Sequence, residues 1–225
     1  MQIGIVTGAS RGLGLALTHA LVDRGWRIVV DARDGDALRR EWGYPPHDVV
    51  IAGDIADPAH RRALVEAAGP QIDLVVNNAS ALGPSPLPPL ADYPVDELRR
   101  VYEVNVLAPL ALAQLALPRL ARGACILNVT SDAAVEPYET WGGYGSSKAA
   151  LDQLTAILGA EHPELRVYAV DPGDMRTQMQ QDAFPGEDIS DRPLPEESVP
   201  GLLELIDSDL PSGRYRVRNL AGVKA

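Results

Sequence analysis

Lysine is nearly absent: two residues, Lys148 and Lys224, stand against 18 arginines in 225 residues. Phenylalanine and cysteine occur once each, as Phe184 and Cys125. A single cysteine excludes an internal disulfide, and with a single phenylalanine the core must be filled by Ala, Leu, Val and Ile. Basic charge is also scarce, with a formal net charge of −11, which argues against a nucleic-acid backbone or an anionic membrane as partner. The four histidines, His19, His47, His60 and His162, show no ligand spacing, so no metal site is expected. No Ser/Gly linker, charge block or fixed-period repeat divides the chain, and one domain over 1–225 is the simplest reading. The opening residues read as a strand entering a glycine turn, without a basic stretch or a long apolar span, so a cytoplasmic location is expected.

The scarcity of lysine gives weight to Tyr144-Gly145-Ser146-Ser147-Lys148. With seven tyrosines and two lysines, shuffling would produce a Tyr-x-x-x-Lys pair about 0.06 times. The alanine-rich run that follows predicts a helix, which puts Tyr144 and Lys148 on one face. A phenol titrates near 10 and is a poor acid or base at neutrality. An ammonium beside it favours phenolate and is expected to bring the pKa towards the working pH.

Taken in order, residues 3–6 predict a strand, and Thr7-Gly8-Ala9-Ser10-Arg11-Gly12-Leu13-Gly14 opens an apolar-periodic segment from Leu15 to Val22. Strand, glycine turn and helix is the setting in which backbone N–H groups meet a phosphate. A second strand, 27–31, runs into Asp31-Ala32-Arg33-Asp34. There a carboxylate would select a free ribose 2′-hydroxyl, whereas Arg33 with Arg11 would clamp a 2′-phosphate. Asp31 and Asp34 blur the signal, and Arg33 paired to Asp34 is the plainer alternative. Residues 49–52 form a third strand ending at Gly53-Asp54-Ile55, followed by a helix over 58–68 with Asp57 as N-cap and Pro58 at its first position. The strand at 73–76 ends in Asn77-Asn78-Ala79-Ser80, and five prolines in 82–94 predict a stiff loop. One long helix is expected from about Val95 to Leu120, with Asn105 on its apolar face. Strands follow at 125–129, closed by Thr130-Ser131, and at 166–170, closed by Asp171-Pro172-Gly173-Asp174-Met175-Arg176-Thr177.

With T-G-x-x-x-G-x-G, Asn77-Asn78-Ala79, Asn105, Ser131, Tyr144-x-x-x-Lys148 and Pro172-Gly173-x-x-x-Thr177 in this order, the chain resembles the short-chain dehydrogenase/reductase family over roughly residues 2–177. The resemblance implies an α/β fold: a Rossmann-type, doubly wound, mostly parallel sheet of about seven strands flanked by helices. It implies that Tyr144 is the general acid/base and that Ser131 orients the substrate oxygen. Lys148 would lower the tyrosine pKa and bind the nicotinamide ribose, and Asn105 would hold a relay water. Gly8, Ser10, Arg11, Gly12, Leu13 and Gly14 would line the pyrophosphate and adenosine end, Asp54 and Ile55 the adenine, and Asn78 and Ala79 the ribose region. Pro172, Gly173, Met175 and Thr177 would anchor the nicotinamide. Arg33 stands where NADP-dependent members carry a basic residue, so NADP (NADPH) is the cofactor expected.

The implied activity is hydride transfer between nicotinamide and the carbonyl or secondary alcohol of a small molecule. Ser131, Trp141, Tyr144 and Met179 would meet the substrate under a lid at about 178–200 that also carries Phe184. A redox-sensing NADP-binding regulator is the competing class. Two departures stand out. Ser80 replaces the glycine usual after Asn-Asn-Ala, a change expected at the site's edge that alters no catalytic group. The C-terminus lacks the Asp-Gly-Gly ending of many tetrameric members, leaving tetramer, dimer and monomer open.

Overall fold

A computed structural model describes residues 1–42 and 49–220; His47 and Lys224 lie outside them. Seven strands form one sheet in the order β3-β2-β1-β4-β5-β6-β7, and every pairing is parallel. The strands are β1 (Ile3–Val6), β2 (Arg27–Ala32), β3 (Val49–Ala52), β4 (Ile72–Asn77), β5 (Leu120–Val129), β6 (Arg166–Asp171) and β7 (Gly213–Arg216).

The short apolar runs seen in the sequence are buried on both faces, as a parallel sheet requires. Alternation splits them between two cores. Val6, Ile28, Val30, Leu74 and Val76 pack against α1 (Gly12–Asp23) and α8 (Val199–Asp207). Ile5, Val29 and Val75 face α3 (Pro58–Ala68) and α5 (Ala108–Ala116) on the other side. The result is a single-domain, doubly wound Rossmann-type fold. The order reverses beside β1 and β4, and the crevice outside the strands' carboxyl ends at that point is where ligands bind in such sheets.

Local chemistry explains most boundaries. Asp57 caps α3 by accepting from the Ala59 N–H, with proline at the helix start, as expected. The helix α6 (Gly142–Glu161) begins before Tyr144, so the Tyr-x-x-x-Lys pair lies on its first turns.

Two expectations need correction. The long helix over 95–120 is three pieces: α4 (Val95–Tyr102), a π-helical turn (Glu103–Leu107) and α5, ending in a 3₁₀ turn. Pro109, which lacks an N–H, follows the π turn and disrupts the regular ladder. By length and composition Val95–Arg119 could cross a membrane, but here its Ala108, Leu112, Ala113 and Ala116 fill the second core. Strand β5 starts five residues earlier than expected, at Leu120, and pairs with Ile72 across a register shift. The arginine and glycine at 122 and 123 mask this extension in the sequence.

Three helices had no counterpart in the sequence reading: α2 (Gly35–Trp42), α8 and the short α9 (Val217–Leu220). A further helix, α7 (Gln178–Ala183), forms part of the segment expected as a lid.

Candidate active site

A cleft of about 1280 Å³ runs across the carboxyl ends of the strands. Nearly every residue singled out from the sequence lines it, from Gly8, Ser10, Arg11, Gly12 and Leu13 through Arg33, Asp54, Ile55, Asn78 and Ala79 to Ser131, Trp141, Tyr144 and Lys148. Pro172, Gly173, Met175, Thr177 and Met179 complete the wall. Gly14 and Asn105 are not on it.

At one end the glycine turn is held against β4. Gly8 has φ +70, and a Cβ there would meet the Ala79 backbone at 2.9 Å. A Cβ on Gly14 would strike the Gly8 carbonyl oxygen and Asn78 Nδ2, each at 2.4 Å, so Gly14 serves close packing behind the turn. The Asn78 amide donates to the carbonyls of Thr7 (2.8 Å) and Gly8 (3.1 Å), a brace in addition to its place on the cleft wall. Arg11 is the N-cap of α1 and gives it no side-chain cap, which leaves the helix's first N–H groups available to an anion.

The acidic residues that confuse the sequence around Arg33 are resolved by geometry. Asp31 is buried; it accepts from the Gly8 N–H (2.8 Å) and pairs with His60 Nε2 (2.9 Å). Asp34 accepts from the N–H groups of Asp36 and Ala37 at the start of α2, which with nearby Arg40 and Arg11 holds its carboxyl below the usual range. Arg11 and Arg33 are exposed at the cleft, and neither forms a salt bridge among the described residues.

At the other end stand Ser131, Tyr144 and Lys148. Ser131 follows β5 and Tyr144 lies on α6, which packs against that strand's end. Lys148 is 2 % exposed; its ammonium donates to the Val129 carbonyl (2.8 Å) and lies 5.4 Å from the centre of the Tyr144 ring. Burial brings Lys148 down to about 8, against a weaker opposing pull from Asp152. Burial also pushes the Tyr144 phenol well above its ordinary value; a hydrogen bond with Ser80 acts the other way, and Asp171 and Asp132 add to the rise. The expectation that Lys148 draws the phenol towards neutrality therefore fails for the protein alone. Desolvation of the buried phenol is the largest influence on it and acts in the opposite direction. The phenol is thereby held protonated.

A family model for short-chain dehydrogenases matches residues 2–188. The chain is 33% identical over 196 residues to a benzil reductase ((S)-benzoin forming) of Saccharomyces cerevisiae, covering 80% of this chain and 74% of that one. It is 33% identical over 199 residues to the sepiapterin reductase of Mus musculus, covering 79% and 76%. A short-chain dehydrogenase of Shigella flexneri complexed with NADP superposes with a TM-score of 0.88 at 25% identity, over 96% of this chain and 97% of that one. The chain belongs to the short-chain dehydrogenase family.

Members of this family use a nicotinamide cofactor, and the cleft has the features such a dinucleotide needs. A glycine turn too tight for side chains opens an uncapped helix N-terminus, and Arg11 and Arg33, which form no salt bridge among the described residues, stand beyond it. As a short-chain dehydrogenase the chain also shows what the sequence alone did not reveal. Asn105, on the π turn, spends its side chain inside the protein: Oδ1 accepts from Ser80 Oγ (3.1 Å) and Ala81 N (2.8 Å), and Nδ2 donates to the Ala81 carbonyl and Ser147 Oγ (both 2.9 Å). That amide has no capacity left for a water, so the expected role as holder of a relay water does not fit its side chain. It braces the loop carrying Ser80.

Ser80 is more than an edge substitution, because its hydroxyl contacts both Asn105 and Tyr144. The signal was present as the serine in place of glycine, but its partners lie far away in sequence. Arg214 gave no signal. From β7 it donates to the Ser131 carbonyl (2.9 Å) and pairs with Asp152 (2.9 Å), tying the last strand to the segment that carries Ser131. Among the described residues no group of three or more His, Cys, Asp or Glu converges as metal ligands.

Proposed function

We propose that the protein is an NADP(H)-dependent ketone reductase that uses Tyr144 as the general acid. The observation that carries this reading is one cleft with Ser131, Tyr144 and Lys148 at one end and the exposed Arg11 and Arg33 at the other. When bound, the nicotinamide supplies the hydride that adds to the carbonyl carbon. Ser131 donates to the carbonyl oxygen and polarises it, and the buried, protonated Tyr144 gives that oxygen its proton as charge develops. Lys148 spends one of its three donors on Val129 and keeps the others for a ribose hydroxyl. Its positive charge stabilises the phenoxide left behind. Ser80 has one proton, which goes to Asn105 while the phenol is intact and turns to the phenoxide once the proton has left.

The substrate end is aromatic. The Trp141 ring centre lies 5.8 Å from that of Tyr144 and 5.9 Å from that of Phe184. Met179 and Ala183 of α7 pack against Leu82, Ala133 and Tyr144. Ser85 donates to the Asp182 carbonyl (2.6 Å), joining the proline-rich loop to the segment expected as a lid. A flat, apolar ketone fits this slot. The names of the relatives, a benzil reductase and a sepiapterin reductase, support a conjugated carbonyl substrate.

Replacement of Arg33 tests the cofactor. Arg33→Ser lowers kcat/KM for NADPH by about 10–100-fold, because one charge-assisted clamp on the 2′-phosphate is lost while Arg11 remains. The value for NADH stays the same or rises. Steady-state rates with each cofactor check this, and an unchanged NADPH/NADH ratio would contradict the assignment.

Ser80→Ala provides a separate test of the tyrosine. The Ser80 bond favours phenolate, so its loss raises the Tyr144 pKa. At a fixed alkaline pH, alcohol oxidation, which needs phenolate, is slower in the variant than in wild type because the phenolate fraction falls. An unchanged rate at that pH would remove Ser80 from the proton-transfer machinery.

A further inference from the structure

The hydroxyl of Ser131 has one proton, and in this structure it is committed. Ser131 Oγ accepts from the Ala133 N–H (3.2 Å) and donates to Asp132 Oδ1 (3.1 Å). The other oxygen of Asp132 accepts from the Tyr138 hydroxyl (3.0 Å). Ser131, Asp132, Tyr138 and Tyr144 all line the substrate end of the cleft. The Asp132 charge reaches across it, raising the carboxyl of Asp174, where burial is the larger cause. Asp174 forms no hydrogen bond or salt bridge among the described residues.

A plain ketone entering this site meets a conflict. Its oxygen needs the Ser131 proton, and taking it breaks a charge-assisted hydrogen bond to Asp132. A substrate with a hydrogen-bond donor on the carbon next to the carbonyl removes the conflict. That donor sits one carbon from the carbonyl and replaces Ser131 as the partner of Asp132, and the serine proton turns to the carbonyl oxygen. We propose that the substrate is an α-hydroxy or α-amino ketone, a vicinal diol or amino alcohol in the reverse direction, and that Asp132 recognises the adjacent hydroxyl or ammonium group. This rests on the reading of Ser131 and Tyr144 as the carbonyl-binding pair. An acidic wall formed by Asp132 and Asp174 further favours the protonated amine and repels a carboxylate in that place.

The test compares 2-hydroxyacetophenone, 2-aminoacetophenone, 2-methoxyacetophenone and acetophenone, with NADPH, in wild type, Asp132→Ala and Asp132→Asn. The methoxy ketone withdraws electrons much as the hydroxy ketone does but has no donor, so it separates recognition from intrinsic reactivity. In wild type, kcat/KM for the hydroxy and amino ketones exceeds that for the methoxy ketone by about tenfold or more, as expected where a site is built to bond a substrate donor. In Asp132→Ala those two values fall and the acetophenone value rises, because Ser131 is released. Asp132→Asn, which keeps the side-chain shape, gives the same preference loss for the amine; NADPH binding followed by fluorescence shows that both variants are folded. Equal rates for hydroxy and methoxy ketones in wild type, or a preference that survives both substitutions, overturn the inference and leave the reductase reading in place. Failure to reduce any of the four ketones overturns both.

Discussion

Tyr144→Phe lowers kcat for ketone reduction by about 10²–10⁴, the usual contribution of a positioned general acid, with NADPH affinity within a few-fold of wild type. The change removes one oxygen. The ring stays in its pocket, 8 % exposed, edge-on to Trp141, so packing is conserved. Ser80 keeps its bond to Asn105 (3.1 Å), so no buried hydroxyl loses its last partner and stability changes little. The loss falls on kcat because the missing interaction is made as the proton moves, not as substrate binds. Burial holds the phenol protonated across the ordinary pH range, so reduction by wild type shows no alkaline fall due to Tyr144 within that range. Stopped-flow binding of NADPH beside steady-state turnover checks both halves. A variant that turns over as fast as wild type would contradict the role of the phenol.

Lys148→Met produces two opposite effects: turnover falls by orders of magnitude, and the unliganded protein becomes more stable at pH 7. Lys148 titrates near 8 against an ordinary 10.5, which corresponds to roughly 3 kcal/mol spent on holding its charge in the interior. Methionine fills a similar unbranched space without charge. The Val129 carbonyl loses its bond from Lys148, and that offsets part of the gain, leaving a net stabilisation of about 1–3 kcal/mol. The pH dependence has a definite sign. Below pH 8 lysine is charged in both folded and unfolded chains, and the full cost is present. Between 8 and 10.5 the folded protein sheds the proton first, so wild-type stability rises with pH and the advantage of the variant shrinks. Urea unfolding at pH 7 and pH 10 measures this. A variant less stable than wild type at pH 7 would show that the buried ammonium is stabilised by its surroundings. The lysine is thus a site where function costs stability, in keeping with a chain that retains so few.

The sheet and the juxtaposition of Tyr144 and Lys148 were legible in the sequence because both depend on local pattern. Short runs of Val, Ile and Leu ending in glycine, asparagine or serine mark strands whose carboxyl ends meet a ligand. Tyr144 and Lys148 stand out because lysine is rare. What was illegible depends on contacts between distant segments. The π turn is a consequence of Pro109 together with the packing of Asn105, which bonds Ala81 and Ser147 from other elements. Asp31 reads as a competitor for the ribose, but it faces inward to Gly8 and His60, and no spacing rule indicates which way a carboxylate at a strand end will turn. Spacing also put an ammonium beside a phenol without revealing that both are buried, which reverses the direction of the Tyr144 shift. Arg214 and Asp132 act on Ser131 from β7 and from the adjacent turn, and neither belongs to a motif.

Deuterium transfer from NADPH dideuterated at C4 to an aromatic ketone is the most direct measurement. With wild-type protein, mass spectrometry of the product alcohol finds one deuterium on the carbinol carbon, in step with NADPH consumption, and Tyr144→Phe yields almost none. NADPH that binds tightly while no ketone, diketone or quinone acquires the label would contradict the reductase assignment and favour a protein that senses the cofactor without turning it over.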